Sequence, residues 1–288
     1  MKTLYLSLIS FLFLASCQED LTPAWLEIKT VNFTTNEPVE GPNSHDIVDA
    51  WVYIDNKEMG VWEIPFRMPV LQEGEHTLTV IPGIKISGQS SIRVTNNFYE
   101  AYTTTINLSK KETTTIVPTF GYKPTVNVIA KEDFEDTGVI LNPDNTTDTT
   151  KFKIISKLDF PDIVKYGNNC GRLQVNESDT VARVITDLDL PIIQGKMYLE
   201  IDYLATNSFF IGILEETSSV NQIDQGPYAG AYRTDADEFE WKKIYFPLSD
   251  RTNLNAFANS FEFYIYVPLD TGNQAGEVYI DNVKIVYF

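Results

Sequence analysis

The side chains best suited to chemistry lie on two alternating stretches. Met197, Leu199, Ile201 and Tyr203 alternate with Tyr198, Glu200 and Asp202, and Phe261, Phe263, Ile265 and Val267 alternate with Glu262, Tyr264 and Tyr266. A period of two is that of a β-strand, whose successive side chains point to opposite faces. The first set of each pair reads as core. The second sets put Tyr198, Glu200, Asp202, Tyr264 and Tyr266 on a wet face, which Tyr279 joins from a later stretch. Tyrosine rings stack on the apolar faces of pyranoses and carboxylates accept hydroxyl protons, so this composition suits a glycan. Outward tyrosines also pack against cross-strand neighbours with no ligand at all, and that reading stands beside the first.

Other chemistries have little to work with. His45 and His76 are the only histidines, and no Gly-x-Ser-x-Gly elbow accompanies them. Asp235, Asp237, Glu238 and Glu240 crowd together before a strand, the pattern of a solvated loop, whereas glycosidases need two acids at a defined separation across a bound sugar. Phosphate loops, dinucleotide fingerprints and Cys/His zinc spacings are missing. The expectation is a protein that is not an enzyme and has no organic cofactor. With 22 Lys and Arg against 40 Asp and Glu, the net charge of -18 argues against a phosphate-reading surface, so no nucleic acid is expected. Hydrophobic residues at 43% are enough for a proper core.

Lys2 and the apolar run Leu4 to Leu14 form a segment too short to span a bilayer core of roughly 30 Å, and read as a signal peptide. Leu14-Ala15-Ser16-Cys17 resembles the lipobox of bacterial lipoproteins. That resemblance implies removal of residues 1–16, lipidation of Cys17, and membrane attachment through the lipid anchor only. Gln18-Glu19-Asp20 resembles the acidic export tag of surface lipoproteins of Bacteroidota, which implies the outer membrane and the cell surface. Residues 17–24 form the tether. Once Cys17 carries lipid, Cys170 has no disulfide partner and reads as a small buried hydrophobe.

The remainder reads as all-β, in two β-sandwich domains. Ala50–Asp55, the turn Asn56-Lys57-Glu58 and Val61–Ile64 suggest one hairpin; Thr103–Leu108 and Thr113–Val117, separated by Ser109–Glu112, suggest another. The order of strand, Asp-Asn tip, Gly60, Pro69 and Glu73-Gly74-Glu75-His76 resembles small β-sandwiches of the PEGA and carboxypeptidase-regulatory-like type, placing such a domain at 25–122. Pro124 marks a joint, and residues 123–288 hold about eight strand candidates.

Five pieces of this second region, Phe134-Glu135-Asp136, Gly171–Val175, Gly195–Tyr203, Trp241–Phe246 and Gly276–Ile285, resemble in their order a carbohydrate-binding, galactose-binding-like jelly roll. The resemblance implies a structural calcium ion held by Glu135 and Asp281 with backbone carbonyls, and Asp133 is a further candidate. In the last strand Val278 and Ile280 differ in parity from Val283, Ile285 and Tyr287, so a bulge is expected near Asp281-Asn282. The expected partner is glycan, or alternatively another envelope protein on the same surface.

Overall fold

A computed structural model describes residues 21–144, 151–193, 195–217, 223–231, 240–249 and 257–288. Cys17, the leader 1–16 and, from the acidic cluster, Asp235, Asp237 and Glu238 lie outside the described residues. The chain builds two β-sandwiches, the second a jelly roll. Among the described residues, no helix is long and apolar enough to cross a membrane.

Alternation builds the first sandwich. In Ile47–Ile54, Ala50, Val52 and Ile54 are fully buried while Trp51 and Tyr53 are half-buried. Asp55 and Asn56 then take φ values of 50° and 64°, the left-handed pair required by a two-residue hairpin. This turn ends earlier than expected: Lys57 already pairs with Ile54, and Lys57 and Glu58 belong to the returning strand Lys57–Glu63. Gly74–Lys85 lies on the other side of Ile47–Ile54 and pairs in turn with Tyr102–Leu108 and Arg93–Thr95. The facing layer sets Ala24–Ile28 between antiparallel Phe66–Val70 and parallel Thr113–Ile116. A small parallel pair, Asn32–Thr34 with Thr119–Gly121, forms a separate two-stranded sheet.

The expected second hairpin does not form. Tyr102–Leu108 pairs with Gly74–Lys85, whereas Thr113–Ile116 pairs with Ala24–Ile28, so residues 109–112 carry the chain from one sheet to the other. Ala24, Leu26 and Ile28 are buried, and the backbone of that strand needs hydrogen bonds along both edges. Satisfying the second edge draws the threonine run away from its sequence neighbour.

In the second sandwich, one sheet runs Phe152–Ser156, Asn169–Asn176, Ala275–Tyr287, Met197–Ala205, Lys242–Pro247, with Asn127–Glu132 also paired to Ala275–Tyr287. The other runs Leu141–Pro143, Val181–Thr186, Ala258–Pro268, Phe209–Thr217, Ile223–Ala231, with Leu190–Pro191 joined to Ala258–Pro268. Met197, Leu199, Ile201, Tyr203, Phe261, Phe263, Ile265 and Val267 all enter the core between them, as their alternation requires. The bulge also forms. Asp202 pairs with Asp281 and Glu200 with Lys284, leaving one extra residue on the last strand, and Asn282 absorbs it at φ 49°. That single residue lets Val278, Ile280, Val283 and Ile285 all face the core.

The sandwiches are packed together. Tyr198, Tyr245 and Val286, on the outward side of the first jelly-roll sheet, belong to the same apolar cluster as Phe98, Tyr99 and Tyr122. The rings of Phe98 and Tyr198 meet edge to face at 5.1 Å, and Tyr99 donates its hydroxyl hydrogen bond to Tyr245 at 3.2 Å.

Candidate functional site

The face expected to be wet is mostly covered. Tyr198, Glu200 and Asp202 point away from the jelly-roll core, yet their exposures are only 6%, 0% and 1%, because the first sandwich sits on them. Tyr279 is likewise buried. It joins Ile155, Val164, Cys170 and Leu204 beneath Phe160, Ile163 and Trp241, and donates its hydroxyl to Glu277 Oε2 at 2.6 Å. Tyr264 is buried too, so of the six side chains only Tyr266 keeps partial exposure. Alternation fixes which side of a strand a residue faces; a second protein layer, not water, occupies that side here.

What the first sandwich covers is a charged cluster. Glu200 lies opposite Lys284, and Asp202 opposite Lys243. Lys243 Nζ stands 3.2 Å from Asp202 Oδ1 and 3.7 Å from Glu200 Oε2, and Lys284 Nζ stands 3.8 Å from Glu200 Oε2. The first sandwich supplies the remaining partners. Tyr122 donates to Glu200 Oε2 at 2.6 Å, Ser44 donates to Asp202 Oδ2 at 2.6 Å, and the Glu40 carbonyl accepts from Lys284. Burying charges this deeply is tolerable only when each is paired. Burial pulls the Lys284 ammonium down to about 8, with Lys243 adding repulsion and Glu200 and Asp202 opposing the shift. The same burial, then the Glu200 charge, drives the Tyr122 and Tyr245 hydroxyls well above their ordinary range. They remain neutral. This cluster, which alternation alone did not identify, joins two layers; its sequence trace is a lysine at each of two positions facing an acid across a strand.

Glu135 and Asp281, expected to hold calcium, line one cavity of about 100 Å³ with Glu37, Gly41, Pro42, Lys131, Asp133, Tyr166, Gly167 and Asn282. Glu135 is held by its loop: Oε1 accepts the backbone N–H groups of Asn168 and Asn169 at 2.6 and 2.9 Å, and Oε2 accepts the Asn168 side chain at 2.9 Å. Gly167, at φ +54°, has no room for a side chain, since a Cβ there would lie 2.3 Å from Glu135 Oε1. Asp281 is 1% exposed; its Oδ1 accepts the Asn282 N–H at 2.7 Å, while Oδ2 is buried with no hydrogen-bond partner. Burial raises its carboxyl to about 9, against the pull of the Asn282 bond, and Asp202, Glu135 and Asp133 add to the rise. Among the described residues no three Asp, Glu, His or Cys side chains form a ready metal group. An unpartnered carboxylate oxygen beside further carboxylates, in a cavity with space for roughly three waters, suits a hard cation that completes its shell with carbonyls and water.

The outward side of the second jelly-roll sheet is different. Among the described residues, none of the first sandwich's apolar cluster comes from it. The strand register sets Tyr266 between Phe210 and Arg183, and Tyr264 beside Gly212. A Cβ on Gly212 would lie 1.9 Å from Tyr264 Cζ, so the tyrosine ring lies across the glycine, and the Arg183 guanidinium covers that ring at 3.9 Å from its centre. Phe210, Tyr266, Arg183 and Glu262 are partly exposed around it. Phe210 and Arg183 were not singled out by the alternation of the tyrosine strand alone; they become visible only through cross-strand register.

The fold and this face define an all-β protein with an aromatic and charged sheet surface. No protein-family model and no curated protein matches the sequence. Several solved structures are similar. A non-crystalline cellulose specific carbohydrate-binding module shares 16% identity, covering 54% of this chain and 92% of that one at a TM-score of 0.39. A structure described as carbohydrate-binding modules from the β-sandwich superfamily shares 13% identity over 84% of this chain and 87% of that one, at 0.37. A Caldicellulosiruptor saccharolyticus module in complex with mannohexaose shares 13% over 55% and 96%, at 0.35. Likeness at this level carries no function across.

Proposed function

We propose that the chain is a lipid-anchored, non-catalytic envelope protein of the outer-membrane surface that binds glycan through the outward face of its second jelly-roll sheet, and that a calcium ion at Glu135 and Asp281 stabilises the jelly roll. The observation that carries the reading is the row Phe210, Tyr266 and Arg183 beside Tyr264 on a sheet face that the first sandwich's cluster leaves alone. Aromatic rings offer stacking surfaces, and Arg183, paired with Asp144 at 3.3 Å, and Glu262 set charged groups beside them. Glycan, not an envelope protein, is the favoured partner because polar groups are interleaved with the rings in place of one continuous apolar patch. The lipid anchor rests on the Leu14–Cys17 pattern.

A glycan array followed by calorimetry with the best soluble oligosaccharide tests the binding. Tyr266→Ala is expected to lower affinity about tenfold, the loss usual for a contact-centre aromatic. Absence of binding across the array, or unchanged affinity in the variant, would remove the proposal. Mass spectrometry of the native amino terminus tests for diacylglycerol on Cys17.

A further inference from the structure

The cation cavity is shared by both sandwiches. Glu37, Gly41 and Pro42 come from the first, and the other lining residues from the second. The segment that brings them is fastened both within the lining stretch and beyond it: Lys284 donates to the Glu40 carbonyl, Ser44 donates to Asp202 Oδ2 at 2.6 Å, and the Asp46 N–H donates to the Tyr245 hydroxyl at 3.0 Å. Those three contacts reach three separate strands of the second sandwich. Segment 37–46 therefore lies over the bulge that carries Asp281.

Charge in the cavity is unbalanced. Glu37, Asp133 and Glu135 line it against Lys131 alone, and Lys131 is already paired with Asp133 at 3.2 Å. The independent pointer to a ligand is Asp281 Oδ2, buried and without a hydrogen-bond partner in a residue that is 1% exposed. Bringing Glu37 onto this surface adds another like charge, a repulsion that works against docking until a cation offsets it.

We propose that segment 37–42 of the first sandwich completes the cation site of the second, so that calcium binding and the seating of one sandwich on the other are a single linked equilibrium. This rests on the calcium reading above. Glu37 contributes its carboxylate to the ion, and the ion in turn holds the segment down. Linkage is reciprocal: whatever the docked segment adds to calcium affinity, calcium adds to docking.

The test uses the full chain with Cys17→Ser to keep it unlipidated, stripped with chelator and titrated with calcium chloride in a calorimeter. Glu37 is exposed, so Glu37→Gln leaves the fold intact, and it is expected to weaken calcium binding about tenfold, within the usual range of such couplings. Amide hydrogen exchange across residues 37–46 is expected to slow on adding calcium to the wild type, and Asp281→Asn is expected to lose the binding. If Glu37→Gln binds like the wild type and exchange at 37–46 ignores calcium while Asp281→Asn loses the ion, the site stands and the linkage is wrong. If the wild type takes up no calcium, or Asp281→Asn binds it equally well, the calcium reading itself fails and the linkage with it.

Discussion

Replacing Asp281 by asparagine separates the cost of its burial from any benefit of a cation. Without an ion, the carboxyl is raised to about 9 from its ordinary 3.8, mainly by burial. The folded chain therefore holds a proton that the unfolded chain has released over most of that interval, and stability falls as pH rises from the ordinary carboxylate value towards 9. At pH 7 the loss covers roughly three pH units, or about 4 kcal/mol. Asparagine avoids this loss at every pH but buries an incompletely bonded amide, costing about 1–3 kcal/mol. Asp281→Asn should thus stabilise the cation-free chain at pH 7 by about 1–3 kcal/mol, or roughly 5 °C in melting temperature. Near pH 4 it should give no gain. Calorimetric melting in chelator at the two pH values measures both, and added calcium should reverse the order by stabilising the wild type alone. A variant less stable than the wild type in chelator at pH 7, or a difference independent of pH, would refute the reasoning.

Lys243→Ala strips the ammonium from beside Asp202 and Glu200, leaving buried carboxylates short of a partner, and should destabilise the chain by about 3–5 kcal/mol in urea unfolding. His76 is raised above its ordinary 6.5 first by its 2.6 Å contact with Asp55, so its ring should titrate above that value by NMR, returning towards it in Asp55→Asn. The stabilisation from this pair should be full just below pH 6.5, fade as pH rises through the raised His76 value, and be lost again in acid as Asp55, itself held below its ordinary 3.8, takes up a proton.

Features encoded by local alternation were legible. The inward sets on Met197–Ala205 and Ala258–Pro268 form the core, and the parity break in the last strand required the bulge that Asn282 provides. What covers an outward face is not local information. Glu200 and Asp202 share their strand side with Tyr198, and the sequence pattern is the same whether water or Tyr122 and Ser44 lie opposite. The lysines were the overlooked sign: Lys243 and Lys284 stand across the ladder from those acids, an arrangement more suited to a buried cluster than to a sugar platform. The missed crossover of Thr113–Ile116 has a similar origin, because the unpaired edge of Ala24–Ile28 lies more than 80 residues away in sequence. Glu135 and Asp281, which share a cavity across about 146 positions, were legible only through resemblance.

The packing of one sandwich onto the first jelly-roll sheet has a consequence for avidity. Among the described residues the first jelly-roll sheet is covered and the proposed glycan face lies on the other, so under the proposed function one molecule grips a long polymer from one side. Strong attachment would have to arise from neighbouring copies in the same membrane, each contributing one weak grip, with local crowding of the anchors setting the strength of the whole.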